Sequence, residues 1–184
     1  KSCILLAGLG ANSNTTYFEP IKSRDHTEIM LNKLGVSIKI NNEITLNPSS
    51  NMLKNFSTYI PGDPSSASFF AAAAAMLPNS KIVMRNILAN PTRIGFFNIL
   101  KKMGGQIEWK NLRNEFGEII GDIEIKSSIL HGINIGADLI PSIIDELPII
   151  SILATQANEP TIVTDAEELR YKECDRITAI CHNL

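Results

Sequence analysis

The chain has 184 residues, 44% of them hydrophobic, and a formal net charge of −2. That apolar content is enough for one full core or two smaller ones. The near-neutral balance creates no field that would draw nucleic acid or anionic lipid to the molecule as a whole. Any anion must be held by local clusters of Lys and Arg.

In chain order, residues 1–9 read as an apolar helical pattern with no initiator Met and no capping group before it, as expected of a chain cut at its N-terminus. Residues 15–19 read as a strand. Residues 25–34 read as a helix with Ile29, Met30 and Leu34 on one side, closed by Gly35. Residues 36–40 and 44–46 alternate as two strands around Asn41-Asn42, a pair tolerant of positive φ. A strand near Tyr59-Ile60, a helix over 66–76 and a strand over 81–85 follow. A helix over 91–103 then stops at Gly104-Gly105, before strands at 106–109 and 119–125. A helix around 148–157, a strand at 161–164 and a last helix from about Ala166 complete the pattern. The longest apolar stretch, 69–77, is well short of the ~20 residues of a membrane span.

An internal repeat runs through these elements. "NKLGVSIKI" (32–40) and "KKMGGQIEW" (101–109) each read as helix end, glycine, then strand, within a strand-helix-strand-helix-strand-strand unit. A doubly wound sheet would need nearly continuous apolar strands. Here the strands alternate, as in Val36, Ile38 and Ile40 with Ser37 and Lys39 between, while the helices are the more apolar elements. The expected fold is therefore α/β, with helices inside and sheets outside.

Four predicted helix starts carry Ser23-Arg24-Asp25, Ser65-Ser66, Asn90-Pro91-Thr92-Arg93 and Asp145-Glu146. Capping accounts for Ser, Asn and Asp there, but not for Arg24 and Arg93, whose cations oppose the positive end of the helix dipole. A shared anion would relieve them. Asp145, set in the apolar run 143–150, reads either as a cap or as a general base beside a substrate hydroxyl. In 170–176, a single helix would place Lys172 and Arg176 at i,i+4, with Glu173 three residues before Arg176. That run is either a solvated face with internal ion pairs or a clamp for phosphate and carboxylate beside a proton-passing carboxyl. His26 alone is a weak candidate. Cys3, Cys174 and Cys181 follow no paired or metal-type spacing, which fits a reducing, cytoplasmic setting. A zinc set of Cys174, Cys181 and His182 lacks any CxxC-type pair to support it.

Six segments occur together and in order: "KSCILLAGL", "SRDHTEIML", "PGDPSSASFFAAAA", "NPTRIGFFNILKKMGG", "IPSIIDELPI" and "ELRYKECDRI". With them the chain resembles the 3-phosphoshikimate 1-carboxyvinyltransferase (EPSP synthase) family over essentially its whole length. "SRDHTE" and "KECDR" separate it from the related UDP-N-acetylglucosamine enolpyruvyl transferases. Cys3 stands where alanine is common in the family, and Tyr171 at a variable position. The resemblance implies an inside-out α/β barrel fold of two globes, each built from βαβαββ units. Residues 1–60 would be the end of one globe, and 61–184 about two units of the other.

The resemblance also implies roles. Ser23 and Arg24 look like contacts to the phosphate of shikimate 3-phosphate, and Asp145 like the carboxylate that binds the ring hydroxyls and serves as base. Lys172 resembles the lysine at the same hydroxyl, Glu173 the carboxyl that exchanges a proton with phosphoenolpyruvate, and Arg176 an arginine that holds phosphoenolpyruvate. Expected partners are these two small molecules, with no nucleic acid, no membrane, no metal and no organic cofactor. The full-length enzyme is expected to be a monomer, and this piece alone inactive.

Overall fold

In the computed structural model, which describes residues 1–48 and 53–184, the chain folds as two units. One comprises Lys1–Ile60 with Asn114–Ile119, the other Pro61–Arg113 with Ile120–Leu184. The first holds α1 (Ser2–Gly8), β1 (Thr15–Tyr17), α2 (His26–Lys33), β2 (Ile38–Ile40) and β3 (Ile44–Leu46). Its sheet has the order β1-β3-β2, antiparallel throughout, with Leu46 opposite both Thr15 and Ile38. Leu5, Leu31, Val36, Ile44 and Leu46 form its small core.

Two expectations about this unit are corrected. The inward face of α2 is made by Glu28 and Leu31, with Leu34 just beyond, whereas Ile29 is half-buried and Met30 is exposed. The pattern misleads because an acidic residue, Glu28, is taken inside by an ion pair with Lys1. The β2–β3 turn spans three residues, with Asn41 N–H donating to the Glu43 carbonyl at 3.0 Å, and neither asparagine takes a positive φ.

The second unit holds α3 (Pro64–Met76), β4 (Lys81–Leu88), α4 (Gly95–Lys102), β5 (Gln106–Glu115) and β6 (Glu118–Lys126), the tip 114–119 counting with the first unit. Next come β7 (Asn134–Ile135), α5 (Ile140–Ile143), α6 (Leu147–Thr155), β8 (Ile162–Val163), a 3₁₀ turn over Glu167–Tyr171 and α7 (Arg176–Asn183). The sheet order β4-β6-β5 repeats β1-β3-β2, and a parallel bridge between Gly62 and Ile87 supplies the first strand. The run from Gly62 to Lys126 is thus one complete βαβαββ unit. A parallel pair, β7 with β8, begins the next. Among the described residues the sheets close into no barrel.

The repeated glycines do the same work twice. Gly35 and Gly104 both sit at φ +96°, where an L side chain is strained. Each closes its helix with a pair of bonds: Val36 N–H to Leu31 O with Gly35 N–H to Asn32 O, and Gly105 N–H to Leu100 O with Gly104 N–H to Lys101 O. These are Schellman closures, which satisfy the last helical carbonyls and turn the chain into β2 and β5.

Other element limits move for identifiable reasons. Tyr59 and Ile60 are exposed and lie outside any strand. Pairing begins after Pro61, which has no N–H to give, at Gly62, whose N–H donates to Asn86 O and whose carbonyl accepts from Leu88 N–H. The third helix starts earlier than expected, with Asp63 as cap and Pro64 in the first turn. The fourth starts later, because Asn90 Oδ1 accepts from Thr92 N–H at 2.8 Å and folds 90–92 into a turn.

Helices do line the core of this unit. Ala71, Ala72 and Ala75 of α3, Phe96 and Leu100 of α4 and Leu153 of α6 pack with Ile123 and Ile125 of β6. On β4, Ile82 and Met84 face inward, while Lys81, Val83 and Arg85 are exposed. Among the described residues no helix is long and apolar enough to cross a membrane.

Candidate active site

In the second unit, three of the expected site residues converge. Asp175 caps α7 by accepting from Thr178 N–H at 3.0 Å, so Arg176 stands in the first turn. Its Nη1 lies 3.5 Å from Asp145 Oδ1, and its Nε and Nη2 donate to Glu173 Oε2 at 3.1 and 2.8 Å. One guanidinium therefore bridges two carboxylates. Its pKa is raised further, first by the Glu173 hydrogen bond and then by both charges, against desolvation. The Glu173 carboxyl is held below its ordinary range, first by its own backbone N–H and then by Arg176.

Lys172 does not share a helix face with Arg176. It caps the end of the 3₁₀ turn in extended conformation, φ −81° and ψ −154°, and donates to Glu168 Oε1 at 3.3 Å. The i,i+4 expectation fails because the backbone breaks between Lys172 and Asp175, at a place without glycine or proline to signal it.

Asp145 does not cap α6. The N-cap is Glu146, and no side chain caps that end. The two adjacent carboxylates are sorted by tertiary contacts: the Asp145 side chain is 41% exposed, whereas Glu146 is buried and accepts from Ser65 Oγ. Ser65 also accepts from Arg93 Nη2 at 2.9 Å, and Arg93 pairs with Asp63, the cap of α3. The awkward cation at 93 thus has an internal anion as partner. At the sequence level Ser65 and Glu146 stand only as helix-start residues and Asp63 is not singled out, although Asp63-Pro64 is a legible cap-and-first-turn signature. Among the described helices, side-chain caps hold α3 and α7, while α2, α4 and α6 begin without one.

Ser23 and Arg24 lie in the first unit, just before the Asp25 cap position of α2. Both are exposed. Ser23 donates twice to Glu19 Oε1, from N–H at 3.1 Å and from Oγ at 2.5 Å. Glu19 in turn meets Lys1 Nζ at 3.0 Å, and Lys1 also pairs with Glu28 at 2.8 Å. His26 Nδ1 meets Glu118 Oε1 at 2.5 Å. Cys3, Cys174 and Cys181 are unpaired and exposed. Among the described residues no three His, Cys, Asp or Glu side chains are grouped to hold a metal ion.

These features define a class: an α/β protein assembled from βαβαββ repeats, with ionisable side chains gathered where helices begin. The family model for EPSP synthase (3-phosphoshikimate 1-carboxyvinyltransferase) matches residues 1–184, and the chain belongs to that family. It is 50% identical to the 3-phosphoshikimate 1-carboxyvinyltransferase of Thermodesulfovibrio yellowstonii, over all of this chain and 43% of that protein. It is 46% identical to that of Bacillus subtilis, with the same coverage. A solved structure of EPSP synthase from Acinetobacter baumannii superposes with a TM-score of 0.90 at 42% identity, over 98% of this chain and 41% of that one. The chain thus spans about two fifths of the length of the relatives it matches.

Proposed function

We propose that the full-length protein transfers the enolpyruvyl group of phosphoenolpyruvate to the 5-hydroxyl of shikimate 3-phosphate, releasing phosphate. The observation that carries this reading is Arg176 held between Asp145 and Glu173 in a chain that matches the family from end to end. One cation beside a base and an acid suits an addition–elimination whose intermediate bears both phosphate and carboxylate.

In this reading Glu173 delivers a proton to the methylene carbon of phosphoenolpyruvate, which makes the adjacent carbon electrophilic. Asp145 takes the proton of the attacking 5-hydroxyl, Lys172 stands at the same hydroxyl, and Arg176 holds a carboxylate or phosphate of phosphoenolpyruvate. Glu173 is held below its ordinary range first by its own backbone N–H and then by Arg176. An incoming carboxylate that draws the guanidinium away removes the second of these holds and moves the carboxyl back towards its ordinary range. Arg24 and Ser23 serve the phosphate end of shikimate 3-phosphate. No step draws on a metal or an organic cofactor.

In the same reading residues 1–60 are the end of one globe and 61–184 about two repeats of the other. Three exposed, unpaired cysteines suit a cytoplasmic protein, and the full-length enzyme works as a monomer. The test is phosphate release by the full-length protein from the two substrates. Asp145→Ala should lower kcat by roughly 100- to 10,000-fold, the usual cost of losing a general base. Near-normal kcat in that variant removes Asp145 from the chemistry, and absence of phosphate release from the unmodified enzyme removes the whole reading.

A further inference from the structure

Ser23 has two hydrogens to offer, on N and on Oγ, and both go to the same oxygen, Glu19 Oε1. A phosphate oxygen is an acceptor and needs donors, so a serine bonded in this way has nothing left to give it. Glu19 is itself tied down. Lys1 Nζ meets Oε1 at 3.0 Å and Oε2 at 3.1 Å, and lies 2.8 Å from Glu28 Oε1. The Lys1 and Glu28 side chains are 6% and 1% exposed, and that of Glu19 is 14% exposed. The three come from different parts of the first unit: Lys1 precedes α1, Glu19 follows β1, and Glu28 lies on α2. A buried ammonium between two carboxylates therefore ties the segment after β1 to both helices. The end of that segment carries Ser23 and then Arg24.

We propose that Lys1, Glu19 and Glu28 form a positioning triad, and that Ser23 is its hook rather than a ligand: through Glu19 it sets the backbone from which Arg24 meets the phosphate of shikimate 3-phosphate. This inference rests on the function proposed above and divides the work of two adjacent residues. Arg24 brings charge, and Ser23 brings geometry. The ionisation of the triad agrees with its geometry. Burial opposes charge on both Lys1 and Glu19, yet their mutual hydrogen bonds, with those from Glu28 and Ser23, raise the lysine and lower the carboxyl.

A double-mutant cycle in the full-length enzyme tests the proposal: Glu19→Gln, Ser23→Ala and the pair together, with KM measured separately for each substrate. The amide keeps an acceptor but loses the charge that grips Lys1 and Ser23. Glu19→Gln is expected to raise KM for shikimate 3-phosphate about 10-fold, the scale of one charge-assisted hydrogen bond, with KM for phosphoenolpyruvate within about twofold. The double variant should then be no worse than Glu19→Gln alone. Additive effects would mean that Ser23 touches the phosphate directly, and would overturn the proposal. Equal rises in KM for both substrates would also overturn it, by exposing a general structural role. If Glu19→Gln fails to fold, as judged by circular dichroism, Glu19→Asp takes its place in the cycle, since its carboxylate is one methylene too short to reach Ser23. A wild-type enzyme that releases no phosphate would defeat the functional reading; an active enzyme with additive effects defeats only this inference.

Discussion

Glu124 illustrates what a single carboxylate can organise on the outer face of a sheet. It lies on β6 between Ile123 and Ile125, which point into the core, so its own side chain points the other way. Lys110 and Lys81 meet its Oε2 at 3.0 Å, and Lys126 meets Oε1 at 3.3 Å. These bonds, that from Lys110 first, bring its pKa from an ordinary 4.5 to about 2, against desolvation. A depressed folded-state pKa gives stability that is complete above the unfolded value and disappears as pH falls through the folded one. The window is therefore about pH 4.5 down to about 2. In thermal unfolding of the full-length protein, Glu124→Gln should lower Tm at neutral pH, and the gap to wild type should close across that window. A gap of constant size at every pH would show that the lysines confer nothing through charge. Residue-scale facts of this kind are hardly legible in sequence. Asp145 and Glu146 are neighbours with the same chemistry, and burial of the second depends on Ser65, 81 positions away.

Elements were far more readable, because their signals are local. A helical period followed by glycine and an alternating stretch marked 32–40 and 101–109 as the same device, and both end in a Schellman closure at φ +96°. Elements set by distant partners were not readable. The two-residue strand β7 has no period of its own and is fixed by its pairing with β8, and the first strand of the second unit is a bridge at Gly62. The β5–β6 turn places Phe116 and Gly117 at φ 50° and 91°, with Phe116 stacked on Phe56 at 4.5 Å. A phenylalanine in that backbone region is not a turn signal. The twin glycines differ in surroundings, which yields a ranked expectation. Among the described residues a Cβ on Gly35 would meet only Lys54 Cε at 3.7 Å, so Gly35→Ala should cost the conformational term alone, about 1–2 kcal/mol. A Cβ on Gly104 would lie 2.9 Å from the Ile129 carbonyl oxygen and 3.2 Å from His131 Cδ2. Gly104→Ala should therefore cost more, as read from urea midpoints of the full-length variants. Equal costs would mean that Ile129 and His131 give way freely.

At the scale of the whole molecule, the question is what these 184 residues can do alone. After its serine-rich first turns the third helix is apolar all round, and among the described residues its alanines are mostly covered while Phe69 and Phe70 are 60% and 62% exposed. A helix of that composition suits a place between two packed layers, and among the described residues it has one. The charge inventory points the same way. Phosphoenolpyruvate and shikimate 3-phosphate each bring a phosphate and a carboxylate. The candidate cations of the second unit, Lys172 and Arg176, are already engaged, with Glu168 and with Asp145 and Glu173. Four anionic groups against three candidate cations, Arg24 among them, leave the developing intermediate without the preorganised positive field that such a transition state requires. The isolated chain, at about two fifths of its relatives' length, is therefore expected to release no phosphate above background from the substrate pair, under conditions in which the full-length protein turns over. Measurable product from the 184 residues alone would mean that the cations in this chain suffice. The assignment of charge to Arg24, Lys172 and Arg176 would then have to be rebuilt around a smaller and more self-contained site.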